Sequence, residues 1–271
     1  MATPYAEVVG DPIEQSKSPV IHAHWLKATG IEGDYRRHRV GEGEMAEYLA
    51  TRRADPDWRG CNVTMPVKYD ALDAAEIRSD LAIAANAANL LIPKDGTLAA
   101  GNTDVGGILH VLRRFFEADR PMRHIALYGT GGAARAVLVA ARAVDLDGIT
   151  IHARNVQKAT RLAVEFGLSK RPVALDVPPK ADGIVNATPL GMVGHRCLNC
   201  DVSGIDPEGW VFDMVTAPVE TELVLKARDR GLAIADGIDM LVEQAAASFE
   251  AFFGSPPNRE RDSELLAMLR E

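Results

Sequence analysis

Apolar positions recur along the chain in two patterns. Short apolar runs mark strands, and longer stretches with helical spacing follow most of them. Residues 5–10 read as a strand, and 19–29 as a helix with Ser18 as N-cap, Pro19 at its first position and Gly30 as its stop. A strand over 34–40, a helix over 45–53 and a strand over 60–64 come next, with a helix initiated by Pro66. Residues 89–92 and 97–99 flank Pro93-Lys94-Asp95-Gly96, whose Asp-Gly pair predicts a β-hairpin. A helix over 105–118 closes the first half, and the Arg120-Pro121 punctuation suggests a domain boundary near there.

The second half opens with an apolar strand over 124–128, a glycine loop over 129–132 and an alanine-rich helix over 133–144. A strand over 148–152 and a helix over 156–166 follow. Short buried strands are expected at 172–175, 183–186, 211–213 and 233–235, and helices at 221–230, 240–253 and 263–270. Strands alternating with helices predict parallel sheet and an α/β fold.

Composition narrows the class. The 271 residues are 47% hydrophobic and 25% charged, the balance of a packed globular protein. At about 150 residues per domain, this length suggests two domains. Lys+Arg 30 against Asp+Glu 38 leaves a net charge of −8, which argues against nucleic acid as a partner. No run of about 18 apolar residues offers a membrane span. Three cysteines do not make a disulfide framework, and the N-terminal residues lack the form of a signal peptide, so a cytoplasmic location is expected. His195-Arg196-Cys197-Leu198-Asn199-Cys200 could supply half a zinc site, but the only other cysteine is Cys61, and no metal is expected.

Gly129-Thr130-Gly131-Gly132-Ala133-Ala134 fits G-x-G-x-x-[GA] between a predicted strand and helix. Gly129 permits the tight turn, Gly131 lets a pyrophosphate approach the backbone, and Ala134 lets helix and strand pack closely. An NAD site usually carries an acid at the end of the next strand, to hold the ribose hydroxyls. Here Ala153-Arg154-Asn155 stands there with no acid. Arg154 lies 25 positions after Gly129, and Lys158 is one helical turn beyond it. That pair favours NADP over NAD.

Asn62-Val63-Thr64-Met65-Pro66-Val67-Lys68 sets Asn62 and Thr64 on one face of a strand and carries Lys68 to the strand's C-terminal end. Gly101-Asn102-Thr103-Asp104 puts a carboxylate at the start of the next helix. A lysine and a carboxylate brought together there would form an acid–base device. Ser16-Lys17-Ser18-Pro19 offers two hydroxyls at a helix start, one to cap it and one to face a carboxylate.

Taken together, these motifs resemble the shikimate dehydrogenase family. The resemblance also rests on Asn186-Ala187-Thr188-Pro189-Leu190-Gly191-Met192, on Asp213-Met214 followed by Pro218, Thr221 and Leu223, and on Gly237 with Met240-Leu241 and Gln244-Ala245. It implies an N-terminal α/β substrate domain (1–104 with 240–271) and a Rossmann-type NADP domain with a parallel sheet (105–239), with a cleft between them. It implies reversible NADP-linked reduction of 3-dehydroshikimate to shikimate, in a monomer or homodimer whose partner is a small molecule. Quinate or a related ring acid is an alternative substrate, and a non-catalytic ligand-binding homologue a second alternative.

By this resemblance Lys68 and Asp104 are the catalytic pair. Ser16, Ser18, Asn62, Thr64, Asn89, Asp104, Thr216 and Gln244 bind substrate. Gly129, Thr130, Gly131, Gly132, Ala133, Arg154, Lys158, Asn186, Thr188, Met214 and Gly237 bind cofactor. Three positions depart from the family pattern. Thr216 stands where the family has Tyr, Leu90 replaces a hydroxyl-bearing residue, and Asn155 replaces a Thr.

Overall fold

The computed structural model describes residues 3–146 and 148–271. The chain forms two compact units, one running to Asp104 and resumed by Leu241–Glu271, the other Val105–Met240. Both boundaries fall inside helices.

The first unit is built on β1 (Tyr5–Gly10), α1 (Ser18–Thr29), β2 (Asp34–Arg39), α2 (Met45–Arg52), β3 (Trp58–Val63), α3 (Lys68–Asp73), β4 (Ile77–Arg78), α4 (Asp80–Ala85), β5 (Leu90–Lys94) and β6 (Thr97–Gly101). Its sheet has the order β2-β1-β3-β5-β6-β4. β1 is parallel to both neighbours, and β5 pairs antiparallel with β3 and β6. Every residue of β1 is buried, which is why it reads as a nearly continuous apolar run. Its one charged residue, Glu7, accepts from Arg52 and Tyr48. The predicted hairpin turns at Asp95 and Gly96, both at positive φ, as a two-residue turn of this type requires.

The second unit takes in α5 (Asp104–Glu117) beyond its first residue, then β7 (Ile125–Tyr128), α6 (Gly132–Arg142), β8 (Ile149–Ala153), α7 (Val156–Glu165), β9 (Val173–Ala174), β10 (Ala181–Asn186), β11 (Ile205–Asp213), α8 (Glu222–Asp229), β12 (Ala233–Ala235) and the start of α9 (Gly237–Phe253). The rest of α9 and α10 (Asp262–Arg270) belong to the first unit. The second sheet is wholly parallel, in the order β12-β11-β10-β7-β8-β9. Strand order reverses between β7 and β10, which opens a crevice at their C-terminal ends. Ala134, Ala136, Ala140 and Ala141 are buried on α6, and their small side chains let the helix lie close to the sheet.

Four readings change. Ser18 is not an N-cap: α1 begins at Ser18 itself, Lys17 stands at the cap position, and no side chain caps the helix. No element is predicted over 77–85, where the structure adds β4, two exposed residues at the sheet edge, and α4, whose Leu81 and Ile83 are exposed. β11 starts at Ile205, six residues before the predicted strand. The added residues include Asp206 to Gly209, which lie in a register shift between Ile205 opposite Ala181 and Trp210 opposite Gly183. Arg120-Pro121 lies inside the second unit, where Trp210 Nε1 donates to the Pro121 carbonyl, so this punctuation marks a tether within the unit. Among the described residues no helix is long and apolar enough to cross a membrane.

Candidate active site

In the first unit the C-terminal end of β3 gathers the polar residues. Gly10 makes room for it, because a Cβ there would lie 2.4 Å from Thr64 Cγ2 and 2.6 Å from the Met65 carbonyl. Lys68 is the first residue of α3 and Asp104 the first of α5. The Lys68 ammonium donates to Asp104 Oδ2, and the two side chains are only 15% and 9% exposed. Screening by water is weak at such burial, so the two charges attract each other more strongly than in a surface ion pair.

The other carboxylate oxygen is also engaged. Asn89 Nδ2 donates to Asp104 Oδ1 at 2.8 Å. The Thr103 backbone N–H donates to Asn89 Oδ1 at 2.7 Å, which fixes which end of that amide is oxygen. Gln244, on α9, accepts at Oε1 from Thr103 Oγ1 and Asn89 Nδ2, and donates from Nε2 to the Leu241 carbonyl. One Nε2 hydrogen remains for a ligand oxygen.

Ser16 and Ser18 stand at the start of α1. Ser16 is half-buried and its Oγ accepts from the Ser18 N–H; Ser18 is buried. The Arg37 guanidinium donates twice to the Ser16 carbonyl, and the Lys17 ammonium donates to the Leu269 carbonyl of α10. With no side-chain cap and no acid in its first turn, this helix end suits an anion. Thr64 is half-buried just past the end of β3. Asn62 is buried inside β3, with Tyr35 and Ser248 against its amide. Sequence reading missed Tyr35 and Ser248, since neither belongs to a motif.

In the second unit the glycine loop leaves β7 at the strand reversal. Gly129 has φ +118°, and a Cβ there would lie 2.8 Å from the Ala187 carbonyl past β10, so only glycine fits. A Cβ on Gly131 would meet nothing within 4 Å. The N-terminus of α6 has neither a side-chain cap nor an acid in its first turn. Thr130, Gly132 and Ala133 complete a half-buried rim around these free N–H groups. Arg154 and Lys158 are exposed at the end of β8 and in the first turn of α7. Asn155 caps α7, its Oδ1 accepting from the Lys158 N–H at 2.9 Å. These residues fit a phosphorylated dinucleotide, with an open backbone cradle for the pyrophosphate and two cations where an acid would repel a 2′-phosphate.

Asn186 has a different task from a direct cofactor contact. It is fully buried at the end of β10, its Nδ2 donates to Asp213 Oδ1 and the Leu190 carbonyl, and its Oδ1 accepts the Thr188 N–H and hydroxyl. That exhausts the amide. Asp213, whose pKa burial raises, also accepts from the Val215 N–H and the Thr221 hydroxyl. This clamp shapes the 187–190 loop, with half-buried Thr188, and the 214–216 loop, with half-buried Met214 and Thr216. Gly237 is glycine for packing, because a Cβ would lie 2.5 Å from the Val215 carbonyl and 2.6 Å from that of Met214. Cys200 is buried with Sγ 3.3 Å from the Tyr128 hydroxyl, and Cys197 is exposed.

The all-parallel sheet of the second unit, in this strand order and with an open glycine loop at its reversal, makes this a dinucleotide-binding α/β protein whose first unit carries a buried lysine–carboxylate pair. Residues 8–91 match the shikimate dehydrogenase substrate-binding domain, and residues 237–264 the shikimate 5′-dehydrogenase C-terminal domain. A shikimate dehydrogenase (NADP(+)) of Sphingopyxis alaskensis is 46% identical over 99% of this chain and 97% of its own. Among solved structures, shikimate 5-dehydrogenase from Thermus thermophilus, in complex with NADP(H) and shikimate, is 30% identical with a TM-score of 0.85, covering 98% of this chain and 99% of that one. Quinate dehydrogenase from Corynebacterium glutamicum, in complex with NAD, is 27% identical with a TM-score of 0.83, covering 99% and 97%. The chain belongs to the shikimate dehydrogenase family.

Proposed function

We propose that this protein catalyses the reversible NADP-linked reduction of 3-dehydroshikimate to shikimate. The observation that carries the reading is the buried Lys68–Asp104 pair, in a chain whose relative of 46% identity is named for that activity. When bound, NADPH supplies the hydride that becomes the carbinol hydrogen. The Lys68 ammonium donates its proton to the substrate's carbonyl oxygen, and in the reverse direction the amine takes the hydroxyl proton. Asp104 holds the ammonium in place and balances its charge in a poorly hydrated setting.

The chain's other groups orient the ring. Ser16 and Ser18, with the uncapped N-terminus of α1, hold the ring carboxylate. Thr64, Asn62 and the free Gln244 N–H face the ring hydroxyls, and Asn89 keeps Asp104 aligned between Lys68 and the ring. Thr216 offers a shorter hydroxyl than the family's Tyr. Gly129, Thr130, Gly131, Gly132 and Ala133 hold the pyrophosphate, and Arg154 and Lys158 the 2′-phosphate. Asn186 and Gly237 shape the loops that present Thr188 and Met214.

Purified protein assayed with shikimate and with quinate, each with NADP⁺ and NAD⁺, tests this. The shikimate–NADP⁺ pair is expected to give the highest kcat/KM. Absence of reduced cofactor from every pair, in protein that binds NADP⁺, would overturn the catalytic reading. A higher kcat/KM with quinate would replace the substrate and keep the chemistry.

A further inference from the structure

Asn62 sits within the first sheet, paired in register with Val8 on one side and Leu90 on the other. Its side chain is held on three sides. The Tyr35 hydroxyl donates to Oδ1 at 2.7 Å. Nδ2 donates to Ser248 Oγ at 2.7 Å and to the Asn89 carbonyl at 3.2 Å. A backbone carbonyl only accepts, so the Asn89 carbonyl decides that nitrogen faces it and oxygen faces Tyr35.

The same logic sets Ser248. Its hydroxyl donates its one proton to the Gln244 carbonyl, and its oxygen receives Asn62 Nδ2 while lying 3.3 Å from Thr103 Oγ1. Both Asn62 donors are therefore spent, and a ligand finds at most a lone pair on Oδ1. Asn62 can accept from a ring hydroxyl but cannot donate to a ring carbonyl. The Tyr35 ring is fixed in turn by a parallel stack on His22, 3.8 Å between centroids and 3° from coplanar.

We propose that Tyr35 and Ser248 are positioning residues that lock Asn62 as a hydrogen-bond acceptor and so set the enzyme's affinity for a hydroxylated ring. This rests on the assignment of shikimate as substrate. β2 and α9 supply the two clamps, and neither clamp needs to touch substrate to act.

The test uses the full-length protein with Tyr35→Phe, Ser248→Ala, the double variant, and each change in an Asn62→Ala background. Tyr35→Phe keeps the ring stack and loses only the hydroxyl. Each single variant is expected to raise the shikimate KM about fivefold to tenfold, the worth of one buried hydrogen bond. The kcat and the NADP⁺ KM should stay within about twofold. Because both act through one amide, the double variant should raise KM by less than the product of the singles, and neither change should add to Asn62→Ala.

Unchanged shikimate KM in both singles overturns the proposal, as does a further rise in the Asn62→Ala background. Calorimetric titration of shikimate into the wild type separates this from the broader reading. If the wild type binds and oxidises shikimate while the variants match it, only the clamp fails. If the wild type neither binds nor oxidises it, the substrate assignment falls and the clamp with it.

Discussion

Asn89 Nδ2 donates to Oδ1 of Asp104 at 2.8 Å, while the Lys68 ammonium takes Oδ2. One carboxylate thus joins β5's leading edge to the first residues of α3 and α5. Neither oxygen is free to swing, so the lysine has one favoured position.

Lys68→Ala should therefore remove the proton donor and leave the fold's other contacts in place. A kcat lower by about 10²–10⁴-fold is expected, the range for general acid–base catalysis. Cofactor affinity, measured by fluorescence titration with NADPH, should barely move. A near-normal kcat would take Lys68 out of the role.

Arg154→Ala tests the cationic end of the cofactor site. Its guanidinium is exposed at the end of β8 with no acid beside it in sequence. The NADP⁺ KM should rise at least about tenfold and the NAD⁺ KM by less than about twofold, because only NADP⁺ carries the 2′-phosphate. Equal rises would show that Arg154 does not read it.

Asn186→Ala removes the link between the 187–190 loop and Asp213. Several buried partners lose their bonds, so a loss of about 1–3 kcal/mol in urea denaturation is expected. The NADP⁺ KM should rise while shikimate affinity in the absence of cofactor stays unchanged. If stability and NADP⁺ KM both match the wild type, the clamp is dispensable.

Acid should destabilise the first unit through His22. Burial among aromatic rings pushes its pKa down from 6.5 to about 3, and neither ring nitrogen has a hydrogen-bond partner. Between those values the unfolded chain binds a proton that the folded chain refuses, so stability falls as pH drops below 6.5. Denaturation at pH 7 and pH 5 should show wild type losing about 2 kcal/mol more than His22→Phe, from about 1.4 kcal/mol per pH unit below 6.5. His152, pushed down to about 4 by burial, contributes in the same sense in the second unit and is untouched by that variant. Equal losses would assign the acid sensitivity elsewhere.

Much of this architecture was legible along the chain because its cues are local. The alternation of apolar runs and helical spacing located both sheets, and Asp95-Gly96 located the hairpin, since turn chemistry depends on the residues in the turn. Ser18 misled because a serine before proline looks like a cap; the backbone is already helical at Lys17, which stands at the cap position, so Ser18 opens the helix instead of capping it. β11 misled because its first part is irregular: Ile205 pairs with Ala181 and Trp210 with Gly183, and Asp206 to Gly209 lie in the register shift between them, which only the neighbouring strand reveals.

The sequence by itself determined the α/β class, the glycine loop with its cationic neighbours, and the motifs that name the family. Each of these depends on residue types at short spacing. Only the tertiary structure decided which polar groups are spent and which are left. Asn62, Tyr35, Thr103 and Ser248 are up to 213 positions apart, and the direction of each bond depends on an acceptor or donor from another element. Hydrogen-bond capacity is a local property of a side chain, but its use is set by neighbours that folding supplies.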